Sequence, residues 1–362
     1  MIHQLDFLDQ VSPPRFPSTR YQGSKARFID WIWPNLASIP FVTCLDAFGG
    51  TGCFAYQAKQ AGKTVTYNDI LPFNAMIGRA LIENPGERLT DTEVEALLSP
   101  ETGDAGPHFI FETFHNIYYT DEENRWLDAI SARIRAMSNP YKQAMAYFAL
   151  FQACLVKRPY NLFHRKNLYL RQQQVQRSFG NKTTWDAPFE RHFRKFVGEI
   201  NQASFAGTAP CTACCADALA VPGDYDLVYI DTPYLNAAGK GVDYADFYHF
   251  LNGLLAYDRW GSLIDYASPH RRLRTEPAGW TDAKHIAENF SRLFHRYATS
   301  TLAISYRSNG VPSIDELVQL LQPTHRLVKL CESDMMRYAL SRNPTQEVLL
   351  IAHPLHNAPT NW

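Results

Sequence analysis

The tetrapeptide Asp231-Thr232-Pro233-Tyr234 places a carboxylate, a stiffened turn and an aromatic ring directly after the apolar run Leu227–Ile230. That run predicts a buried strand, and ligands of open α/β sheets bind beyond the carboxyl ends of the strands. A carboxylate and backbone carbonyls can accept hydrogen bonds from an amino group, and a tyrosine ring can stack on a planar base. Because an ordinary strand-to-loop turn has the same composition, the interpretation depends on the rest of the chain.

A glycine turn and an acid supply a second group of candidate residues. Thr43–Phe48 predicts a strand that enters Gly49-Gly50-Thr51-Gly52, then a helix over Cys53–Ala61, and a second strand over Thr64–Asn68 that ends at Asp69. An acid about 20 residues after such a turn is placed against ribose hydroxyls. The turn lacks both the three spaced glycines of dinucleotide-binding proteins and the P-loop lysine. A nucleoside ligand without pyrophosphate, such as S-adenosylmethionine, fits this pattern.

The overall composition indicates a globular protein of the reducing cytoplasm. The chain has 362 residues, 46% hydrophobic residues and a net charge of −1, so we expect one enlarged domain or two domains. No apolar run approaches the roughly 20 residues needed to cross a membrane, and the N-terminus lacks the pattern of a signal peptide. The seven cysteines show no regular spacing. Cys211-x-x-Cys214-Cys215 lacks a second pair for zinc, so cysteines in a strand are expected and no metal site is predicted.

The middle of the chain is basic. Between residues 151 and 206, ten Lys and Arg side chains face three acids, with aromatic residues such as Tyr160 and Trp185 between them. This mixture favours a nucleic-acid surface over a merely solvated face. Helices are predicted over Glu122–Met137, Tyr141–Leu155 and Asp315–Leu321. After the middle segment, strands are predicted over Leu227–Ile230, Ser262–Asp265, Thr299–Ser305, Arg326–Leu330 and Val348–Ala352.

Three motifs in order resemble the Dam-like, alpha-ordered DNA adenine N6-methyltransferases. They are Arg20-Tyr21-Gln22-Gly23-Ser24-Lys25, Asp46-Ala47-Phe48-Gly49-Gly50-Thr51-Gly52 and Asp231-Thr232-Pro233-Tyr234. Phe163–Phe196 is similar to the family's DNA-facing insertion, and Ser305–Gly310 to a late strand and turn. Thr232 stands where the family usually has proline, but that position would offer only its backbone carbonyl. The resemblance covers roughly residues 18 to 353.

The resemblance implies an α/β, Rossmann-like S-adenosylmethionine-dependent methyltransferase with a seven-stranded mixed sheet and a mainly helical DNA-recognition insertion. The expected divisions are an N-terminal arm (1–18), a catalytic domain (19–109 and 207–362) and the target-recognition insertion (110–206). The implied activity is methyl transfer to N6 of a flipped-out adenine at a specific site of duplex DNA. The resemblance further implies a cytoplasmic, nucleoid-associated protein that does not contact a membrane. A separate restriction endonuclease as partner and the oligomeric state stay open.

The resemblance also assigns residues. The implied catalytic residues are Asp231, Thr232, Pro233 and Tyr234. The implied cofactor-binding residues are Tyr21, Lys25, Asp46, Phe48, Gly49, Gly50, Gly52, Asp69 and Asp217. A turn role for Asp217 is an equal alternative. The implied DNA contacts are Lys157, Arg158, Arg165, Lys166, Arg177 and Lys182.

Other functions remain compatible with parts of this pattern. RNA adenine or a protein amide could accept the methyl group by the same chemistry. A nucleic-acid binding module with a vestigial pocket is the alternative from another class, although the intact Asp231, Tyr234 and glycine turn count against it. A nicotinamide-dependent oxidoreductase is disfavoured by the incomplete glycine pattern.

Overall fold

The computed structural model describes residues 14–99, 108–173, 182–235, 239, 241–274, 279–334 and 346–355. They form a seven-stranded sheet with the strand order β3-β2-β1-β4-β5-β7-β6. The strands from β3 to β5 are parallel, whereas β7 runs antiparallel to both β5 and β6. The strands are β1 (Thr43–Asp46), β2 (Thr64–Asn68), β3 (Cys211–Cys214), β4 (Leu227–Ile230), β5 (Thr301–Arg307), β6 (His325–Glu332) and β7 (Glu347–Pro354). The predicted seven-stranded mixed α/β fold is confirmed.

Helices cover both faces of the sheet, which explains why its central strands read as continuous apolar runs. All four residues of β4 are buried, and the first six of β7 are buried as well. The α-helices of the described residues are α1 (Ile29–Ala37), α2 (Cys53–Gln60), α3 (Pro72–Gly78), α4 (Asp91–Leu98), α5 (Phe109–Thr113), α6 (Asp121–Arg135), α7 (Pro140–Val156), α8 (Leu168–Gln172), α9 (Lys182–Asp186), α10 (Phe189–Ala203), α11 (Tyr244–Phe247), α12 (His249–Leu255), α13 (Trp260–Leu263), α14 (Ile286–Arg296) and α15 (Ile314–Leu321).

The strand predicted over Ser262–Asp265 is wrong. Residues 260–263 form the helical turn α13, and Ile264 makes only an isolated antiparallel bridge with Leu273. Trp260 anchors this turn, since its buried ring packs on Phe114 and Phe250 with ring centroids about 5 Å apart. The seventh strand of the sheet is β3 instead. It carries Cys211 and Cys214, so these two cysteines lie in a strand as expected.

The predicted insertion over 110–206 shares its core with the sheet domain. Helices α7 and α10 pack on each other, and residues of both belong to one hydrophobic cluster with β1 and α2. The Tyr56 hydroxyl of α2 donates to the Ala203 carbonyl of α10 (2.8 Å). Helices α7 and α10 therefore support the sheet. Residues 157–188 lie between these two long helices.

Candidate active site

The carboxyl ends of β1, β2 and β4 open into one cavity of about 670 Å³. Asp46 ends β1, Asp69 follows β2 and Asp231 follows β4, so the parallel pairing of these strands brings the three carboxylates to the same edge. Other predicted residues that line the cavity are Tyr21, Lys25, Phe48, Gly49, Gly50, Thr232, Pro233 and Tyr234. The sequence motifs, of which the first and third are more than 200 residues apart, thus meet in one place.

The glycine turn is shaped by positive backbone angles and by a tyrosine behind it. Gly50 and Gly52 have φ values of +52° and +77°, a region that disfavours other residues. At Gly49 the limit is space, because a Cβ there would lie 2.1 Å from Cε2 of Tyr67. The Tyr67 hydroxyl donates to the Gly50 carbonyl (2.7 Å). The turn therefore keeps its backbone exposed to the cavity and close to any ligand there. Gly52 caps α2 and does not itself line the cavity.

Asp69 braces the turn from the neighbouring strand. Its Oδ2 accepts hydrogen bonds from the Gly50 backbone N–H (2.9 Å) and from Asn74 Nδ2 (3.0 Å), and Oδ1 accepts from the Leu71 N–H (2.8 Å). Burial outweighs these bonds and raises the pKa of Asp69 to about 6. A buried carboxylate with this pKa changes its charge close to neutral pH, which makes it sensitive to a bound ligand.

Two further predicted cofactor residues differ in their surroundings. Asp46 is buried at the cavity wall, its Oδ2 accepts from the Ala55 N–H (3.3 Å), and burial raises its pKa. Asp217 is exposed and does not line the cavity, and its Oδ1 accepts from the Leu219 N–H (2.9 Å) in a turn. The turn role of Asp217 is therefore observed, and a cofactor contact stays a prediction.

Aromatic rings form one wall of the cavity. Tyr21 stacks against both Tyr244 (ring centroids 5.5 Å apart) and Tyr248 (4.8 Å). Phe48 contacts Trp280 edge to face at 4.9 Å. Tyr244 and Trp280 escaped the sequence analysis, because nothing in their local sequence separates a cavity wall from an ordinary core. These rings offer flat apolar surfaces suited to a heterocyclic ligand.

Lys25, Asp231 and Tyr234 form a compact cluster. Lys25 Nζ lies 2.8 Å from Asp231 Oδ1, and the Tyr234 hydroxyl donates to the same oxygen (2.8 Å). The Lys25 ammonium also lies 4.6 Å from the centre of the Tyr234 ring. Burial is the largest influence and raises the pKa of Asp231, although the Lys25 charge opposes it. The first and third sequence motifs are therefore in direct contact.

A fourth member of this cluster, Glu347, was missed by the sequence analysis. It is fully buried at the start of β7, and its Oε1 lies 3.2 Å from Lys25 Nζ. The same oxygen accepts from the Ser305 hydroxyl (2.6 Å) and lies 3.0 Å from the Tyr234 hydroxyl, whose single proton is shared between this oxygen and Asp231 Oδ1. A buried glutamate at the beginning of a strand was the available signal, but its partners depend on how β7 pairs with β5.

The predicted DNA contacts separate into two groups. Lys157 and Arg158 are buried: Lys157 Nζ lies 2.8 Å from Glu123 Oε1, and the Arg158 guanidinium donates to the carbonyls of Leu162 and Arg165. The structure does not support these two as DNA contacts, because their donors are used inside the protein. Arg165, Lys166 and Lys182 are exposed, and Arg177 lies outside the described residues.

Three arginines also stand at the cavity rim. Arg259, Arg272 and Arg274 line the cavity and are exposed. Arg272 donates to Asp265 Oδ2 (3.2 Å), and Arg274 donates to the Ile264 carbonyl (3.2 Å). The basic run His270–Arg274 was visible in the sequence, but only the fold brings it to the site. The rim therefore carries positive charge where a polyanion would approach.

The sheet with its antiparallel β7 and the cavity at the carboxyl ends define a Rossmann-like methyltransferase. The chain belongs to the D12 class of N6 adenine-specific DNA methyltransferases, whose family model matches residues 21–265. It is accordingly an adenine-specific DNA methyltransferase that uses a methyl-donor cofactor and acts on DNA. None of the helices in the described ranges is long and apolar enough to span a membrane.

Two named relatives match most of the chain. The chain is 29% identical over 333 residues to the Type II methyltransferase M2.HphI of Haemophilus parahaemolyticus, covering 89% of this chain and 93% of the relative. It is 22% identical over 319 residues to the modification methylase LlaI of Lactococcus lactis subsp. lactis, covering 83% of this chain and 48% of that protein. The similarity to the first relative therefore extends over nearly the whole length of both proteins.

Proposed function

We propose that this enzyme transfers a methyl group from S-adenosylmethionine to N6 of an adenine flipped out of duplex DNA, with Asp231 as the main acceptor for the amine. The observation that carries the proposal is the state of the Asp231 carboxylate. Its Oδ1 is held by Lys25 and Tyr234, and no described residue hydrogen-bonds Oδ2. Asp231 lines the cavity, so Oδ2 is the oxygen available to a substrate N–H.

The chemistry follows from the weakness of the nucleophile. The lone pair of the adenine amine is delocalised into the ring, so the nitrogen attacks poorly until acceptors draw on its two N–H groups. Asp231 and the Thr232 carbonyl would accept these hydrogen bonds and stabilise the positive charge that develops on N6. The proton becomes acidic only as the new C–N bond forms, so the modest basicity of Asp231 suffices to receive it.

The cavity suits a nucleoside cofactor at the glycine turn. Bound S-adenosylmethionine would supply an activated methyl group on a sulfonium. Gly49 and Gly50 permit close approach of the ligand, because the Tyr67 ring leaves no room for a side chain at Gly49. Asp69, now bonded to the turn, is the acceptor for ribose hydroxyls, and Tyr21 and Lys25 would face the methionine end. Asp46 and Phe48 complete the wall.

The DNA side is supported by exposed cations beside the cavity. The loop that carries Arg165 and Lys166 is tied to the cavity wall, because the Phe163 N–H donates to the Phe247 carbonyl of α11 (2.9 Å). Flipping a base costs a few kcal/mol, and stacking on an aromatic ring such as Tyr234 returns about 1–3 kcal/mol. Phosphate contacts from these cations would supply the remainder. We infer that residues 157–188 are the recognition part of the segment 110–206.

Asp231→Ala tests the reaction and the catalytic assignment together. Labelled cofactor should transfer its methyl group to adenine N6 of duplex DNA, whereas transfer only to RNA or protein would contradict the proposed substrate. Asp231→Ala should abolish transfer and leave cofactor affinity within severalfold. Asp224→Ala, an exposed aspartate near the other end of β4, is the matched control and should remain active. Activity of Asp231→Ala would refute the assignment.

We further propose a role in restriction–modification, with a separate endonuclease of the same site specificity. The similarity to a Type II methyltransferase over nearly its full length supports this proposal. Sequencing of methylated bases in DNA from cells that express the protein identifies the recognition sequence. Protection of that sequence from a matching endonuclease is the expected result, and methylation without a defined sequence would contradict it.

A further inference from the structure

Glu347 is a buried carboxylate in the active site whose role the methyl-transfer chemistry does not explain. It is fully buried, and it projects from β7, which is separated from β4 by β5 in the sheet. Its Oε1 contacts the Lys25 ammonium, the Tyr234 hydroxyl and the Ser305 hydroxyl. A buried charge is costly unless it is paired and hydrogen-bonded, so these contacts indicate a defined role.

The Lys25 ammonium lies between two carboxylates. It is 2.8 Å from Asp231 Oδ1 and 3.2 Å from Glu347 Oε1, and its side chain is 4% exposed. The Lys25 ammonium therefore pairs with a partly buried carboxylate and with a fully buried one. Without the Glu347 carboxylate, Lys25 would be attracted more strongly to Asp231. The Lys25 ammonium would then compete with the substrate amine for the carboxylate oxygens of Asp231.

The Tyr234 hydroxyl lies between the same two carboxylates. It is 2.8 Å from Asp231 Oδ1 and 3.0 Å from Glu347 Oε1. The position of the hydroxyl fixes the direction of the long axis of the ring, and the edge-to-face contact with Tyr306 (ring centroids 5.5 Å apart) limits rotation about that axis. The residue proposed to stack on the target base is thus oriented in part from β7.

We propose that Glu347 is a positioning residue for methyl transfer: it draws Lys25 and Tyr234 towards β7, so that they hold Asp231 through Oδ1 and leave Oδ2 to the adenine amine. Ser305 on β5 fixes Glu347 in turn. The inference rests on the catalytic role proposed for Asp231. It adds that the geometry and the acidity of the Asp231 carboxylate depend on the charge of Glu347, which lies on β7.

Glu347→Gln tests the proposal with two readouts. The amide keeps the size of the side chain but removes its charge, so Lys25 should close on Asp231 and kcat should fall by about 100-fold, the effect of a small misplacement at a reacting group. Glu347 also raises the pKa of Asp231 by charge repulsion. The acid limb of the kcat–pH profile should therefore move to lower pH in Glu347→Gln. A loss of packing alone would not move it in that direction.

Three variants separate charge from position. Glu347→Asp keeps the charge but shortens the reach, so kcat should fall while the acid limb stays near its wild-type pH. Ser305→Ala leaves every charge in place and should lower kcat less, also without a shift of the limb. Glu332→Gln makes the same chemical change at an exposed site on the adjoining strand β6 and should behave as wild type. Asp46, Cys53 and Tyr244 also interact electrostatically with Asp231 and stay in place in these variants. Tyr229 interacts with Asp231, Ser305 and Glu347, so the changes at Glu347 and Ser305 alter its surroundings as well.

The outcomes distinguish this inference from the proposed function. An inactive Asp231→Ala together with a Glu347→Gln of normal kcat and unshifted profile would overturn the role of Glu347 and leave the catalytic assignment standing. An active Asp231→Ala would overturn the assignment itself. If Glu347→Gln does not fold, Ser305→Ala decides, because unchanged kcat in that variant contradicts a positioning role for the residue it holds.

Discussion

At the scale of single residues, the surroundings of a buried charged group decide whether it can take part in the reaction or only stabilises the fold. Asp69 is buried and Asp231 is partly buried beside a cavity, and the loss of solvent raises the pKa of both. Lys157 is also buried but does not line that cavity, and its ammonium contacts Glu123 and the Trp185 carbonyl. Residue type alone does not distinguish these cases, since the distinction lies in what each charged group faces.

Cofactor affinity should therefore depend on the ionisation of Asp69. In the proposed cofactor complex the ionised carboxylate would accept hydrogen bonds from the ribose hydroxyls, and protonation would remove part of this capacity. Because the pKa of Asp69 in the free protein is about 6, the dissociation constant of S-adenosylmethionine should rise as the pH falls through about 6. Calorimetric titration between pH 5 and 8 measures it. Asp69→Asn should bind weakly with no such pH dependence, and an unchanged wild-type affinity at pH 5 would contradict the assignment.

At the scale of elements, the carboxyl ends of β1 and β2 and the turn between β1 and α2 form one unit. Tyr67 on β2 is fully buried and fills the space behind the turn, with its ring against both Gly49 and Gly78. Its hydroxyl donates to the carbonyls of Gly50 and Asn74 (2.7 and 3.1 Å). The ring cannot move away without breaking these bonds, so the shape of the cofactor turn depends on the strand beside it.

Gly49→Ala should consequently damage both stability and cofactor binding. Overpacking of a tight core costs about 1–3 kcal/mol, and displacement of the turn should weaken cofactor binding as well. Gly198→Ala is the matched control, because a Cβ there meets nothing within 4 Å in the middle of α10. That control should be neutral or stabilised by about 0.5–1 kcal/mol. Thermal unfolding with and without cofactor measures both effects, and a wild-type Tm for Gly49→Ala would refute the packing argument.

At the scale of the whole molecule, nearly neutral net charge conceals an uneven distribution. The chain carries a net charge of −1, yet Arg259, Arg272 and Arg274 stand at the cavity rim, and Arg165 and Lys166 are exposed on the loop tied to its wall. A polyanion responds to local potential more than to total charge. DNA affinity should therefore depend on this face and fall steeply with salt.

The double variant Arg165→Gln/Lys166→Gln tests that face. If both cations contact phosphates, the slope of log K against log salt for duplex DNA should become less steep by about 1.8, or 0.9 for each contact. Arg326→Gln, exposed on the edge strand β6, should leave the slope unchanged. Lys157→Gln should instead lower the free energy of unfolding by about 2 kcal/mol, because it removes a buried charged hydrogen bond. An unchanged slope in the double variant would place DNA contact elsewhere.

The sequence by itself determined the reaction and most of the strands. The glycine turn, the acid after β2 and the Asp231–Tyr234 motif are local patterns, and strands such as β2 and β4 carry their periodicity in a few consecutive residues. The strand predicted over Ser262–Asp265 is wrong because Trp260 packs into an aromatic cluster that no local pattern reveals. The order of the three motifs along the chain then showed the resemblance to a known family.

Only the tertiary structure decided which charges reach the site. The sequence analysis treated Lys157 and Arg158 as DNA contacts, but both are buried directly after the end of α7, where their donors meet Glu123 and buried carbonyls. The local signal for Glu347 was an acid at the start of a strand. It reaches the cluster of Lys25, Asp231 and Tyr234 because β7 runs antiparallel to β5 and brings its first residue to the carboxyl end of β4. Strand direction and register are properties of the assembled sheet, and pairing between distant segments determines them.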